Sequence, residues 1–155
     1  MWVGRPISPC VKWPPVALLV HEGPRWEIAR SGTATALSSL SQDYLLGALT
    51  NGNADVHKTP IARYFNHAWR AEEFGISKPD PLLFHRVFEQ AGVSASEVIH
   101  VGDCHNNDVA GAIAAGARAV WFSPDGGNSD IADAIVTRLA DLPSVIKALA
   151  STKPA

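Results

Sequence analysis

Val98-Ile99-His100-Val101-Gly102-Asp103-Cys104-His105-Asn106-Asn107-Asp108 is the stretch on which the fold turns. A short apolar run with β-branched residues stops at Gly102-Asp103. A second aspartate follows five residues on, and residues 109–115 have helical character. This reads as a strand, a tight turn and a helix, the unit from which parallel α/β sheets are built. Such sheets bind ligands beyond the carboxyl ends of their strands, where Asp103 and Asp108 fall. Hard carboxylate oxygens at that place suit Mg²⁺, which takes one or two carboxylates and otherwise keeps waters and phosphate oxygens. The same residues also read as an ordinary turn, with Asp108 as a helix-capping carboxylate.

The flanking sequence repeats the unit. On the N-terminal side, Gly75-Ile76-Ser77-Lys78-Pro79-Asp80-Pro81 leads into a helix over 81–91, with proline in the first turn and Gly92 as its stop. Further upstream, residues 33–44 carry Ala36, Leu37 and Leu40 at helical spacing. Leu45-Leu46-Gly47-Ala48-Leu49 is a short apolar strand that ends in the polar turn Thr50-Asn51-Gly52-Asn53. A short helix over 54–58 ended by Pro60, a turn over 61–65 and a strand over 66–71 follow. On the C-terminal side the pattern predicts a strand over 117–122, a loop over 124–128 and a helix over 142–149 capped by Asp141. Residues 131–137 fit a helix or an edge strand equally. Alternating strands and helices with short connections indicate an α/β sheet.

Residues 1–32 are different. They hold three of the five tryptophans and five of the eleven prolines, and no helical period runs through them. The one plausible element is the strand-like run Val16-Ala17-Leu18-Leu19-Val20. No aspartate precedes Asp43, and the acids upstream of it are Glu22 and Glu27.

Composition narrows the class. With 155 residues, 46% apolar and 18% charged, the chain suits one ordinary globular domain. A formal charge of −2 without a Lys/Arg cluster argues against nucleic acid as a partner. No apolar run approaches the roughly 18–20 residues of a membrane span, so no membrane partner is expected. Cys10 and Cys104 match neither a zinc pattern nor a disulfide scaffold. These features make a cytoplasmic setting the expectation.

Three polar clusters carry the chemistry. Thr50 and the backbone N–H groups after it can cradle a phosphate, although Asn51-Gly52 is also a common turn. Lys78, at a helix start, can bind a transferring phosphoryl group, although a lone lysine is ordinarily a solvated surface group. Asp103 and Asp108 form the third cluster. His57, His67, His100 and His105 could each be ligands, although scattered histidines are more often structural, and His105 lies between the two acidic residues, placed to touch a substrate.

Thr50-Asn51-Gly52, Ser77-Lys78-Pro79-Asp80-Pro81 and Gly102-Asp103 with Asp108 resemble motifs II, III and IV of the haloacid dehalogenase-like (HAD) hydrolase superfamily. The string over 46–55 and the Asn107-Asp108 pair resemble its capped, phosphatase-like subfamily. The resemblance covers about residues 33–149. It implies a Rossmann-like three-layer α/β/α sandwich with a parallel sheet, truncated at its N-terminus, over 33–150, with 1–32 as an atypical segment. It also implies Mg²⁺-dependent hydrolysis of a small phosphorylated metabolite through an aspartyl-phosphate. Carried over residue by residue, Thr50 and Asn51 bind the phosphoryl group. Lys78 orients the nucleophile and stabilises charge, Asp103 ligates Mg²⁺, and Asp108 supports the metal shell. The dehalogenase branch works without metal and departs from the Gly-Asp pattern, so Asp103 favours phosphatase chemistry.

The chain also departs from the family. Motif I, an Asp-x-Asp whose first aspartate is the nucleophile, occurs nowhere in the sequence, and the inserted cap domain is missing. If residues 16–20 serve as the central strand, Val20 and Glu22 stand where the two aspartates would, and valine cannot attack phosphorus. The break near Gly32 is compatible with a mis-started, frameshifted or spliced reading frame. The expectation is a HAD-type hydrolase that is inactive or weak as this chain. The alternatives are a degenerate phosphate- and metal-binding or regulatory protein, and a non-functional gene fragment.

Overall fold

Strands too short to form a stable pair alone are built here into two three-stranded arrays backed by helices on both faces. The computed structural model describes residues 2–4, 30–52 and 55–152. In chain order the main elements are β1 (Trp2–Gly4), α1 (Arg30–Asp43), β2 (Leu45–Thr50), β3 (His67–Arg70), α2 (Pro81–Ala91), β4 (Ile99–Gly102), a π-helical segment (His105–Ala110) continuing into α3 (Gly111–Ala114), β5 (Arg118–Phe122), β6 (Ala134–Val136) and α4 (Leu142–Ser151). One sheet has the order β1-β2-β3 and the other β4-β5-β6. All pairings are parallel except β1 with β2.

The period-two alternation of strands sorts side chains to two faces. Leu49 of β2 and Ala119 of β5 point to one core, with Leu83, Phe84, Val87 and Phe88 of α2 and Ala112 of α3. Leu46, Ile99, Val101 and Val120 point to the other, with Leu37 and Leu40 of α1 and Leu142 and Ile146 of α4. This is the helix–sheet–helix layering of an α/β/α sandwich.

Most predicted elements lie within two residues of their expected bounds. The helix 81–91 is observed as expected, with Asp80 accepting from the N–H of Leu82 and Gly92 closing it in the left-handed conformation at φ 70. Residues 131–137, open between helix and strand, contain the edge strand β6. Its Val136 is buried among α1 and α4 residues, which fixes it as sheet. Three expectations are corrected. The turn after β4 is already helical at His105, so Asp108 lies inside a helical segment whose N-cap is Cys104 and does not begin a helix. Asp141 makes no side-chain cap to α4, because both of its oxygens are taken by the Arg138 guanidinium. Helix α1 begins at Arg30 and runs through Gly32, where composition changes. The run Val16-Ala17-Leu18-Leu19-Val20 and Glu22 lie outside the described residues.

Candidate active site

The carboxyl ends of two strands and one loop converge on Lys78. Thr50 ends β2 and Gly102 ends β4, so the polar residues that follow them stand at the carboxyl ends of both sheets. Lys78 reaches this place from the loop before α2. Its ammonium is fully buried, 2.7 Å from Asp108 Oδ1, and donates to the carbonyl of Leu49 at 3.5 Å. A lone lysine is ordinarily solvated, but Lys78 is one of the most buried polar groups described, with a residue exposure of 3%.

Asn51 holds Lys78 from the other side. Its Oδ1 accepts the Lys78 backbone N–H at 2.7 Å, and its Nδ2 donates to the Lys78 carbonyl at 3.0 Å. The Asn51 side chain thus clamps the lysine's backbone, and what it leaves for a ligand is its own main chain. Thr50 is buried, and its Oγ1 accepts from the N–H of Gly52 at 3.3 Å. Asn51, Lys78 and Asp108, separated by 27 and 30 residues in sequence, are brought into one bonded group, with Thr50 adjoining Asn51 at the end of β2.

Asp108 meets three protein donors. Oδ1 meets Lys78 and, at 3.4 Å, His100 Nε2; Oδ2 accepts the backbone N–H of Cys104 at 3.0 Å. Burial by itself would raise this carboxyl, but hydrogen bonding from His100 and the Lys78 charge outweigh it and hold it far below the carboxylate range. For His100, burial pushes the imidazole down from 6.5 to about 4, against the pull of Asp108. The imidazole is therefore neutral at pH 7. Because an ionised carboxylate can only accept, its Nε2 carries the proton.

A pH dependence follows. Between about pH 6.5 and 4 the unfolded chain takes up a proton on His100 that the folded protein refuses, so stability falls as pH falls. A depression from 6.5 to about 4 corresponds to about 3 kcal/mol lost by pH 4. Asp108, with a depressed folded value, adds stability above its ordinary value of 3.8, and this is lost only in more acidic solution. His100→Gln is expected to flatten the pH profile of urea unfolding between 6.5 and 4.5 relative to wild type. Parallel profiles would reject this account.

The close approach of Asp108 to β4 has a steric basis. A Cβ built on Gly102 would fall on Asp108 Cγ, Oδ2 and Cβ. Gly102 has no positive φ, so the glycine is required for space rather than for turn conformation. Nothing in the one-dimensional pattern distinguishes those two roles.

For a metal, the donors present divide into two kinds. Among the described residues no group of three or more His, Cys, Asp and Glu side chains converges to hold an ion. Asp103, half-buried at the end of β4, is a hard oxygen donor of the type Mg²⁺ accepts singly alongside waters. Asp108, the second carboxylate assigned to the metal shell, has Oδ1 taken by Lys78 and His100 and one bond on Oδ2 from the Cys104 N–H, so it supports the site through these donors. His57 and His67 are exposed, and His67 stacks on Trp69 at the amino end of β3. His105 turns to Ser129 and Trp121. Trp121 is the site neighbour that the sequence pattern does not single out; the strand register that places it beside Gly102 is visible only in the sheet.

No helix among the described residues is long and apolar enough to cross a membrane. The family model of haloacid dehalogenase-like hydrolases matches residues 20–116. The chain is 36% identical over 96 residues to the 5-amino-6-(5-phospho-D-ribitylamino)uracil phosphatase YigB of Escherichia coli, a match covering 62% of this chain and 40% of that protein. It is 41% identical over 81 residues to the phosphoserine phosphatase of Thermus thermophilus, covering 49% of this chain and 32% of that one. Its fold superimposes on a 2-haloacid dehalogenase from Pseudomonas syringae pv. Tomato with a TM-score of 0.74 and 41% identity, over 78% of this chain and 54% of that one. The chain thus spans about half or less of the length of these relatives. With the family match extending over well more than half of its residues, the chain belongs to the haloacid dehalogenase-like hydrolases.

Proposed function

We propose that this chain carries the phosphate and Mg²⁺ cradle of a phosphate monoester phosphatase, and that by itself it turns substrate over weakly or not at all. The observation that supports this most is the buried Lys78–Asp108 pair clamped by Asn51. A buried ion pair contributes little net stability compared with apolar packing of the same volume. Its placement at the carboxyl ends of two sheets argues for a role in chemistry.

In this reading the Thr50 hydroxyl and the main-chain N–H groups after it bind the oxygens of a small phosphorylated metabolite. Lys78 orients the reacting groups and stabilises charge that develops on the phosphoryl group, using the ammonium proton left over from Asp108 and Leu49. Asp108 holds Lys78 in place. Asp103 would hold Mg²⁺, which when bound would offset charge on the phosphate oxygens. The chain contains no Asp-x-Asp, and that supports the second reading, a binding or regulatory protein that keeps the cradle without the nucleophile.

Hydrolysis of p-nitrophenyl phosphate with Mg²⁺, beside an Asp103→Asn control and calorimetric titration of Mg²⁺ and phosphate, separates the readings. Binding lost in Asp103→Asn with negligible turnover is the expected result. Turnover abolished by the same substitution would mean that another residue, Glu22 first among them, replaces the missing aspartate. A folded protein that binds neither ligand would reject both readings.

A further inference from the structure

Asp103 is held from outside the three motifs. In the parallel register of β4 with β5, Gly102 lies opposite Trp121, which places the indole beside the turn that follows Gly102. Trp121 Nε1 donates to the backbone carbonyl of Asp103 at 3.0 Å. We propose that Trp121 is a positioning residue that pins the Asp103–Cys104 turn, with residues 123–133 acting as the clasp that fixes the indole.

The indole is gripped at two points, by His105, which Ser129 of the clasp holds, and by Gly127 of the clasp itself. The His105 ring meets it edge-on, with centroids 4.9 Å apart, and His105 Nε2 lies 2.8 Å from Ser129 Oγ. That hydroxyl already accepts the N–H groups of Ile131 at 3.3 Å and Ala132 at 3.0 Å. Its two lone pairs are thereby used, which leaves its proton for the bond to His105 Nε2. The second grip is Gly127, at φ 148, where a Cβ would lie 2.9 Å from indole atoms Cη2 and Cζ3. A side chain at 127 is strained in that backbone conformation and would also push the indole away. Ser123 closes the loop by donating to the carbonyl of Gly126 at 2.6 Å. One indole therefore connects the β5–β6 loop to the carbonyl of the residue that would hold Mg²⁺, a supporting arrangement of the kind that tunes metal affinity.

Cys104, half-buried and next to Asp103, reports on this turn without any metal. Its alkylation by iodoacetamide is followed by peptide mass, which separates it from Cys10, with wild type brought by urea to the global stability of each variant. Trp121→Phe, which removes the N–H, and Gly127→Ala, which moves the ring, are each expected to alkylate about five-fold faster than wild type at matched stability, the factor a single net hydrogen bond represents. Trp69→Phe, which loses the indole bond to Gln90 instead, is expected to match wild type. Unchanged Cys104 rates in both site variants would overturn the proposal, as would an equal rise in Trp69→Phe. The Mg²⁺ arm rests on the function proposed above: Mg²⁺ should slow alkylation, and the two variants should need about ten-fold more of it. Faster alkylation in the variants with no effect of Mg²⁺ on any protein would uphold the pinning role and reject the metal reading.

Discussion

Lys78→Met is expected to destabilise the protein by about 3–5 kcal/mol, because it leaves the Asp108 carboxylate buried without its counter-charge. That is a large share of the roughly 5–15 kcal/mol that keeps a domain folded. The methionine fills nearly the same volume, so the loss reports charge rather than a cavity. Adding Asp108→Asn to Lys78→Met should restore much of the stability, since the pair is then replaced by neutral groups and the asparagine can still accept from the N–H of Cys104. Urea unfolding of the two single variants and the double variant measures the coupling directly. A Lys78→Met protein within about 1 kcal/mol of wild type would show that water or a rearranged partner already shields Asp108.

Gly102→Ala is expected to be as damaging for a different reason. The added methyl would occupy the space of the Asp108 side chain, so the carboxylate must leave Lys78 or β4 must move. Overpacking of this kind costs about 1–3 kcal/mol, and breaking a buried pair about 3–5 kcal/mol. The two costs share one cause, so they do not add. Placing Asp108→Ala in the Gly102→Ala background should therefore cost far less than Asp108→Ala in wild type, because the pair is already broken. Additive losses would mean that Gly102 matters through the turn and not through Asp108.

These expectations depend on features that stand at different distances from the sequence. Leu37 and Leu40, the Pro81–Ala91 helix and Gly92 follow local rules of periodicity and capping, so their places were legible. So was the association of Thr50, Asn51, Lys78, Asp103 and Asp108 with strand ends, through motif resemblance. The manner of their association was not legible. Asn51 spends its side chain on the Lys78 backbone, and Asp108 spends both oxygens on protein donors. Hydrogen-bond choice among several available partners is settled by distances across 27 and 30 residues, which no local pattern encodes.

By itself, then, the sequence determined the class of fold, the strand–turn–helix units, the family and the residue types offered at the strand ends. Those follow from short-range preferences, from the period of apolar residues and from motif spacing. Only the tertiary structure decided that Lys78 is buried, that Gly102 is a spacer for Asp108, and that Trp121 and its loop hold the carbonyl of Asp103. The physical reason is the same in each case: burial, steric exclusion and strand register are properties of neighbours in space, and the neighbours come from other segments of the chain.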